Sequence, residues 1–399
     1  MAQRPDRIIA SMDTGVDDAL ALAYLLGSAD ECELSGVIAS YGNVDANTAY
    51  ANTCAVLDLF GRADIPVFLG SEHPSWADAF IPDAGCAQFH GDDGLGNTWL
   101  AGSGALADGA GVPGDMSGDD MSMDVPDGVV SVGGYLAGDV HAHPALGSYP
   151  RVGRSRSVDR PQSATSTALV SVGTRRCSVD AADGIEYLIE QVREFGRDVT
   201  VLSTGPLTDV DAAITRAPDI ASKLRLVMMG GTLTQPGNCW DAVAETNIIQ
   251  DPEAANRVFH SGADITMVGL DVTHQCLLTR SAADRWRATG TKRGRFLADL
   301  ADFSIKANLE ADTALFSGGM PLHDPLAAAV ALDSSLVDCF DLALRAETNT
   351  GDFNGVRGRT TGDPVGLVNH SMPHVHVALG VDSGRFLDEF AERMAEVCR

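Results

Sequence analysis

The chain has 399 residues, of which 45% are hydrophobic, so it can bury a large core. Its formal net charge is −27, with 28 basic against 55 acidic residues. This charge repels nucleic acid, anionic membrane surfaces and polyanionic substrates. No apolar run reaches the roughly 18 residues that span a bilayer, and the N-terminus lacks the pattern of a signal peptide. The composition therefore argues against nucleic acid or a membrane as a partner.

Short apolar runs alternate with amphipathic ones along most of the chain. We predict strands at 8–12, 34–40, 65–70, 198–204, 224–231 and 264–273, and helices at 17–27, 46–61, 207–218 and 251–262. This alternation predicts an α/β fold with a doubly wound, mostly parallel sheet and a Rossmann-like core. In such sheets the ligand binds beyond the carboxyl ends of the strands.

The middle of the chain breaks this pattern. Residues 98–178 are rich in Gly, Ser, Asp and Pro and show little periodicity. We predict a disordered or loosely ordered insertion within a single domain that spans 1–399.

The eight cysteines show no CxxC pairing and lie mostly in apolar segments. This usage predicts reduced thiols, most of them buried, in a cytoplasmic protein.

Three carboxylates crowd the first predicted strand-to-helix turn. Asp13, Asp17 and Asp18 form a D-x-G-x-D-D pattern around Gly15. One carboxylate there would be an ordinary helix N-cap. Three are better explained by a hard divalent cation that relieves their repulsion. From the residues alone the turn predicts a divalent metal or a crowded cap. A Mg²⁺-dependent phosphohydrolase is disfavoured because no phosphate-binding lysine loop accompanies the turn.

Further motifs follow in a fixed order. They are "ASYGNVDANTAYANT" (39–53), "FHGDDGLG" (89–96), "STGPLTDVDAAI" (203–214), "MMGGTLTQPGNCWDAVAETNIIQDPEAANRVF" (228–259) and "MPLHDPLAAAV" (320–330). With the opening turn, they resemble the inosine–uridine-preferring nucleoside hydrolases in order and spacing. The resemblance covers about residues 5–97 and 180–390, that is, everything except the insertion.

The resemblance implies a Ca²⁺-dependent ribonucleoside hydrolase that is a homodimer or homotetramer. It implies metal ligands at Asp13, Asp18 and Asp324, together with the backbone carbonyl of Thr204. It also implies a set of substrate-binding residues: Asp17, Asn43, His90, Met229, Asn238, Glu245 and Asn247. Asp13 would also act as the catalytic base, and His323 would protonate the departing nucleobase.

Chemical reasoning is consistent with these roles. Cleavage of an N-ribosidic bond builds positive charge on the sugar, which nearby carboxylates stabilise. A water must be oriented and deprotonated, and a histidine with a pKa near 6.5 can protonate the base. Oxygen-only ligands favour Ca²⁺ over zinc.

Several of these residues also have ordinary structural interpretations. Asp324 opens a clear helix and could be its N-cap, and His323 could be a turn residue. His90 could only anchor a loop, and Asn238 lies in a Gly–Asn turn where asparagine is common.

The sequence departs from the family pattern at four positions. Ser11 replaces an aspartate and Thr14 a proline in the opening turn, and Asp209 and Thr246 replace the usual Asn and Phe of the later motifs. Ser11 removes a carboxylate near the metal site, which predicts weaker metal binding. Thr246 lacks the aromatic ring, which predicts altered stacking or packing around the base. An alternative function is therefore a nucleoside- or sugar-binding protein with little or no turnover.

Overall fold

The computed structural model describes residues 5–82, 84–98, 183–239, 243–351, 354–366 and 368–399. The predicted insertion, apart from its first residue, lies outside this part of the chain. None of the helices in these ranges combines the length and hydrophobicity of a membrane span.

The sheet is built as the alternating pattern predicts. Eight strands lie in the order β3-β2-β1-β4-β5-β6-β12-β9, and every pairing is parallel except that of β12 with β9. These strands are β1 (Asp6–Met12), β2 (Cys32–Ala39), β3 (Val67–Leu69), β4 (Val199–Ser203), β5 (Arg225–Met229), β6 (Asp264–Val268), β9 (Val337–Leu342) and β12 (Val375–Val381). The antiparallel pairs β7 (Leu277–Leu278) with β8 (Met320–Pro321), and β10 (Leu344–Ala346) with β11 (Thr360–Gly362), are separate.

Helices connect the strands and cover the sheet. They are α1 (Val16–Gly27), α2 (Ala46–Leu59), α3 (Ala84–His90), α4 (Gly184–Phe195), α5 (Thr208–Arg216), α6 (Thr246–Gln250), α7 (Pro252–Phe259), α8 (Leu270–Thr273), α9 (Arg280–Ala288), α10 (Lys292–Ala311), α11 (His323–Leu332) and α12 (Ser383–Val397).

The prediction of one strand over 264–273 is wrong in its second half. The strand ends at Val268, and α8 begins at Leu270 after the N-cap Gly269. The apolar run continues through both elements because both are buried, so it cannot tell a buried strand from a buried helical turn.

Helix α1 explains the long apolar run of the opening stretch. Its residues from Val16 to Leu25 are all buried, because the helix packs against α11 and α12 inside the protein. A helix buried on every side needs no polar face. Its N-terminus, which carries two of the three aspartates, is therefore held rigidly inside the molecule.

Candidate active site

The site lies where the order of the strands reverses. From β1 the chain continues through β2 and β3 on one side, whereas β4 pairs with the other side of β1. Ser11 of β1 is in register with Ser203 of β4, so the turns that follow the two strands begin side by side. Asp13 and Thr204 lie in those turns. This is the topological switch point at which open α/β sheets bind their ligands.

Three carboxylates from two helices meet beside these turns. Asp17 and Asp18 lie in the first turn of α1, and Asp324 lies in the first turn of α11. All three are buried, and each offers an oxygen within 4.8 Å of the other two. They are the group of potential metal-binding side chains found among the described residues.

Asp13 is fully buried, and its carboxylate interacts electrostatically with those of Asp18 and Asp17. Its Oδ2 accepts a hydrogen bond from the backbone N–H of Asn43 at 2.7 Å. Its Oδ1 is buried without a hydrogen-bond partner in the described structure. A Cβ at Gly42 would lie only 2.0 Å from Oδ2, so the chain closes around the carboxylate more tightly than any other residue permits.

Asp18 joins the two turns. Its Oδ2 accepts from the backbone N–H of Gly15 at 2.7 Å, and its Oδ1 accepts from the Thr204 hydroxyl at 2.6 Å. The Thr204 carbonyl accepts from the Asn247 side-chain amide at 2.7 Å. Because a carbonyl oxygen has two lone pairs, one remains available for a metal.

The pKa values reflect carboxylates crowded in a buried space. Burial and the charge of Asp18 raise the pKa of Asp13 well above its usual range, and burial and the other aspartates do the same for Asp324. Burial raises the pKa of Asp17 to about 6, and burial together with the charge of Asp17 raises that of Asp18 to about 6. A divalent cation would favour the ionised forms again.

The donor set fits a hard cation. Besides Asp13 Oδ1, Asp17 Oδ1 is buried without a hydrogen-bond partner in the described structure. Buried polar atoms without partners call for an explanation such as an ion or water. The ligand set from the resemblance includes Asp13, whereas the geometric cluster includes Asp17 in its place.

A cavity of about 430 Å³ opens onto the cluster. Of the predicted site residues, only the buried Asp13 and Asp18 are not on its wall. Those that line it are Asp17, Asn43, His90, Thr204, Met229, Asn238, Glu245, Asn247, His323 and Asp324.

Two of the predicted sugar-binding residues also hold each other and the loops in place. Glu245 accepts from the backbone N–H groups of Asn247, Gly231 and Ile248 at 2.9 to 3.1 Å. Asn247 donates to the Thr204 carbonyl and, at 3.2 Å, to the Met229 carbonyl. The two side chains are therefore preorganised. Of the roughly four acceptor positions of the Glu245 carboxylate, one on Oε1 remains for a ligand.

His90 caps the central helix. Its Nδ1 accepts from the backbone N–H of Val16 at 3.2 Å and lies 3.7 Å from Asp17 Oδ1. Burial lowers its pKa to about 4, so the ring is neutral at physiological pH. His90 thus both anchors the start of α1 and lines the cavity.

His323 differs from the expectation of an ordinary pKa. Its Nδ1 is hydrogen-bonded to the Thr273 hydroxyl at 2.8 Å. Burial, with contributions from His274 and His90, lowers the pKa of His323 well below 6.5. The free protein therefore holds this ring neutral.

The cavity wall also includes residues that the sequence reasoning did not identify, among them His274, Phe316, Ser304 and Asn308. His274 packs edge-on against Phe316, and its Nε2 is buried without a partner in the described structure. Burial lowers its pKa to about 4. Ser304 and Asn308 are hydrogen-bonded to each other on the buried face of α10. Polar residues four apart on an apolar helix face were the signal that could have revealed this pair.

Comparison with known proteins identifies the family of this chain. The family model described as inosine-uridine preferring nucleoside hydrolase matches residues 8–388. The chain belongs to this family. It is therefore a ribonucleoside hydrolase, an enzyme that acts on N-glycosyl compounds.

Its relatives differ in the nucleosides that their names mention. The chain is 30% identical to a pyrimidine-specific ribonucleoside hydrolase, RihA, of Enterobacter sp. (strain 638), over 98% of this chain and 97% of that one. A purine-preferring ribonucleoside hydrolase from Gardnerella vaginalis is 34% identical with a TM-score of 0.73, over 98% and 99% of the two chains. A plant nucleoside hydrolase, PpNRh1, is 27% identical with a TM-score of 0.71 over the same shares.

Proposed function

We propose that the protein hydrolyses the N-glycosidic bond of purine and/or pyrimidine ribonucleosides with the help of Ca²⁺, and releases a free base and ribose. The observation that carries this proposal is the position of the buried aspartates. Asp17, Asp18 and Asp324 converge at a cavity lined by Asn, Glu and His side chains, and the nearby Asp13 has a buried Oδ1 without a hydrogen-bond partner in the described structure.

The proposed ligands of the metal are Asp13, Asp18, Asp324 and the Thr204 carbonyl. Carboxylate and carbonyl oxygens are the ligands that Ca²⁺ prefers. When bound, Ca²⁺ would supply positive charge that orients the attacking water and makes it more acidic.

Asp13 is proposed to take the proton of that water at Oδ1. Its Oδ2 is occupied by the Asn43 N–H at 2.7 Å, whereas Oδ1 has no hydrogen-bond partner in the described structure. The carboxylate is therefore held in place through Oδ2, and Oδ1 is the oxygen that can accept the proton of the water.

The ribose is proposed to bind among acceptors and donors that ring the cavity. Asp17, Asn43, Asn238, Glu245 and Asn247 would hold its hydroxyls, and Met229 would line its pocket. Negative charge near the sugar stabilises the oxocarbenium-like transition state. A deoxyriboside would leave some of these buried polar groups unpaired, so it should be a poor substrate.

His323 is proposed to assist departure of the base, and His90 to line the substrate pocket. The contact between His323 Nδ1 and the Thr273 hydroxyl is compatible with the tautomer in which Nδ1 accepts and Nε2 carries the proton, and this tautomer is the one proposed here. Nε2–H can then donate to the nucleobase as the glycosidic bond breaks. Because burial lowers its pKa, His323 is neutral in the free protein. The proposed assistance is therefore a hydrogen bond from Nε2–H to the departing base, and transfer of a proton requires the ring to take one up first.

The proposal covers purine ribonucleosides, pyrimidine ribonucleosides or both. The relatives include pyrimidine-specific and purine-preferring enzymes at similar identity. A cytoplasmic location and a homodimer or homotetramer stay predictions; fractionation and sedimentation would test them.

The proposal is tested by assaying purified protein on inosine, guanosine, uridine and cytidine, with release of base and reducing sugar measured together. Equal amounts of both products from ribosides, with little release from 2′-deoxyribosides, are expected. Saturable binding without release of sugar would favour a binding protein of the same fold instead. Release of phosphate from nucleoside monophosphates would favour a phosphohydrolase.

A further inference from the structure

One side chain in the cavity is oriented by a residue at which this chain departs from its family. Asn238 is exposed, and its Oδ1 accepts two hydrogen bonds from Thr246. The backbone N–H and the hydroxyl of Thr246 both lie 3.0 Å from this oxygen. Both residues line the cavity.

These two bonds define which way the amide of Asn238 points. A backbone N–H can only donate, so the atom that it meets must be the oxygen of the amide. The Thr246 hydroxyl donates to the same oxygen. The NH₂ group of Asn238 is therefore turned away from Thr246, and it is available as a donor to a ligand.

The backbone around Asn238 is attached to the same short segment. The N–H groups of Asn238 and Cys239 both donate to the Ala244 carbonyl, at 3.1 and 3.3 Å. A Cβ at Gly237 would lie 2.1 Å from that carbonyl oxygen, so the two backbone segments approach closely. The backbone bonds position the loop, and the Thr246 hydroxyl is the one side-chain donor recorded at the Asn238 amide in the described structure.

We infer that Thr246 is a positioning residue, which holds the Asn238 amide so that its NH₂ group donates to one hydroxyl oxygen of the bound ribose. This inference rests on the proposed function. The family motif has an aromatic residue at this position, and an aromatic ring such as that of Phe cannot donate the side-chain hydrogen bond. In this chain a hydroxyl orients the sugar-binding amide at the place where an aromatic ring would otherwise pack.

The test compares Thr246→Val, which keeps the size but removes the hydroxyl, with Thr246→Ser, which keeps the hydroxyl. Thr279→Val serves as the matched control, because its exposed hydroxyl pairs with Ser281 and lies outside the cavity wall. Each variant is assayed on a parent riboside and on its 2′-, 3′- and 5′-deoxy forms.

Loss of one neutral hydrogen bond should lower kcat/KM of Thr246→Val about three- to tenfold on the parent riboside. Thr246→Ser should recover most of this loss. The loss should vanish for the one deoxyriboside that lacks the hydroxyl bound by Asn238, and in an Asn238→Ala background Thr246→Val should have no further effect.

An equal loss on the parent and all three deoxyribosides, or a Ser variant as impaired as the Val variant, would overturn the inference and leave the proposed function standing. If the wild-type protein released no sugar from any riboside, the proposed function would fail, and the inference with it.

Discussion

The Ser11 hydroxyl donates a hydrogen bond to Asp209 Oδ2 at 2.8 Å, although the two residues are 198 positions apart. Both are buried, and Asp209 Oδ1 also accepts from the backbone N–H of Ser71 at 2.7 Å. Compared with the family pattern, an aspartate has been lost at 11 and gained at 209. The structure brings these two departures into one contact, and we interpret them as an exchange of the acid and its neutral partner.

This pair braces the turns that carry the proposed metal ligands. Ser11 lies two residues before Asp13, and Asp209 lies in the first turn of α5, soon after Thr204. The carboxylate behind the site is thus retained. The expectation of weaker metal binding from the change at 11 stays a prediction.

The exchange predicts strong coupling between positions 11 and 209. Ser11→Asp alone places two carboxylates together in a buried space and should cost about 3–5 kcal/mol of unfolding free energy. Asp209→Asn alone should cost about 1 kcal/mol, because an amide can still bond to both partners. The double variant should recover most of the loss, as measured by urea unfolding of all three proteins.

Ser11→Asn controls for size, since it adds the same volume without the charge. If it were as damaging as Ser11→Asp, or if the double variant remained as unstable as Ser11→Asp, the exchange account would be wrong.

Asp13→Asn tests the catalytic base. Removal of a general base typically costs about 10²- to 10⁴-fold in rate, and loss of a metal ligand should add to this. The Asn43 N–H can still bond to the remaining amide oxygen, so we expect near-normal thermal stability. The measurement is kcat on the best riboside, with Asp58→Asn on the exposed face of α2 as the control. Wild-type turnover by Asp13→Asn would remove this residue from the base role.

His323→Ala tests assistance to the leaving group. A natural nucleoside needs help at its base, so its kcat should fall about 10²- to 10⁴-fold. A nitrophenyl riboside has a good leaving group and should lose far less. Thr273→Val, which removes the partner of His323 Nδ1, should give a smaller loss with the same substrate dependence. Equal losses on both kinds of substrate would show that His323 acts in another way.

Calcium should stabilise the fold less as the pH falls. Burial raises the pKa of Asp17 and Asp18 to about 6 in the metal-free protein. Carboxyls with raised pKa values favour the metal-free fold at low pH, and this stability is lost as the pH rises through the folded-state values. Protons also compete with the metal for the same oxygens.

The difference in Tm with and without Ca²⁺ should therefore be larger at pH 7.5 than at pH 5.5. Asp18→Asn should reduce the difference at pH 7.5. A difference that grows toward low pH would contradict a metal site made of these carboxylates.

The sequence predicts the sheet and the site because both depend on local patterns. The run into β1 and the D-x-G-x-D-D turn place Asp13 and Asp18 without reference to distant residues. The contact between Ser11 and Asp209 joins segments far apart in sequence, so each departure was interpreted by itself. His274 was missed because its importance depends on Phe316 and His323, which only the folded chain brings near.

Thr246 shows the same limit at shorter range. The sequence marks it as a lost aromatic, whereas the structure shows a hydroxyl bonded to Asn238. The sequence shows that the aromatic side chain is missing at position 246. The role of the threonine that stands there depends on Asn238, its partner eight residues earlier.

Release of ribose before and after removal of calcium tests whether the aspartate cluster works through a bound metal. The protein is stripped with a strong chelator, assayed on the best riboside, and assayed again after graded addition of Ca²⁺. We expect that release stops in the stripped protein and returns in a saturable way, and that Asp324→Asn needs much more Ca²⁺ to recover. Undiminished release from fully stripped protein would contradict this expectation.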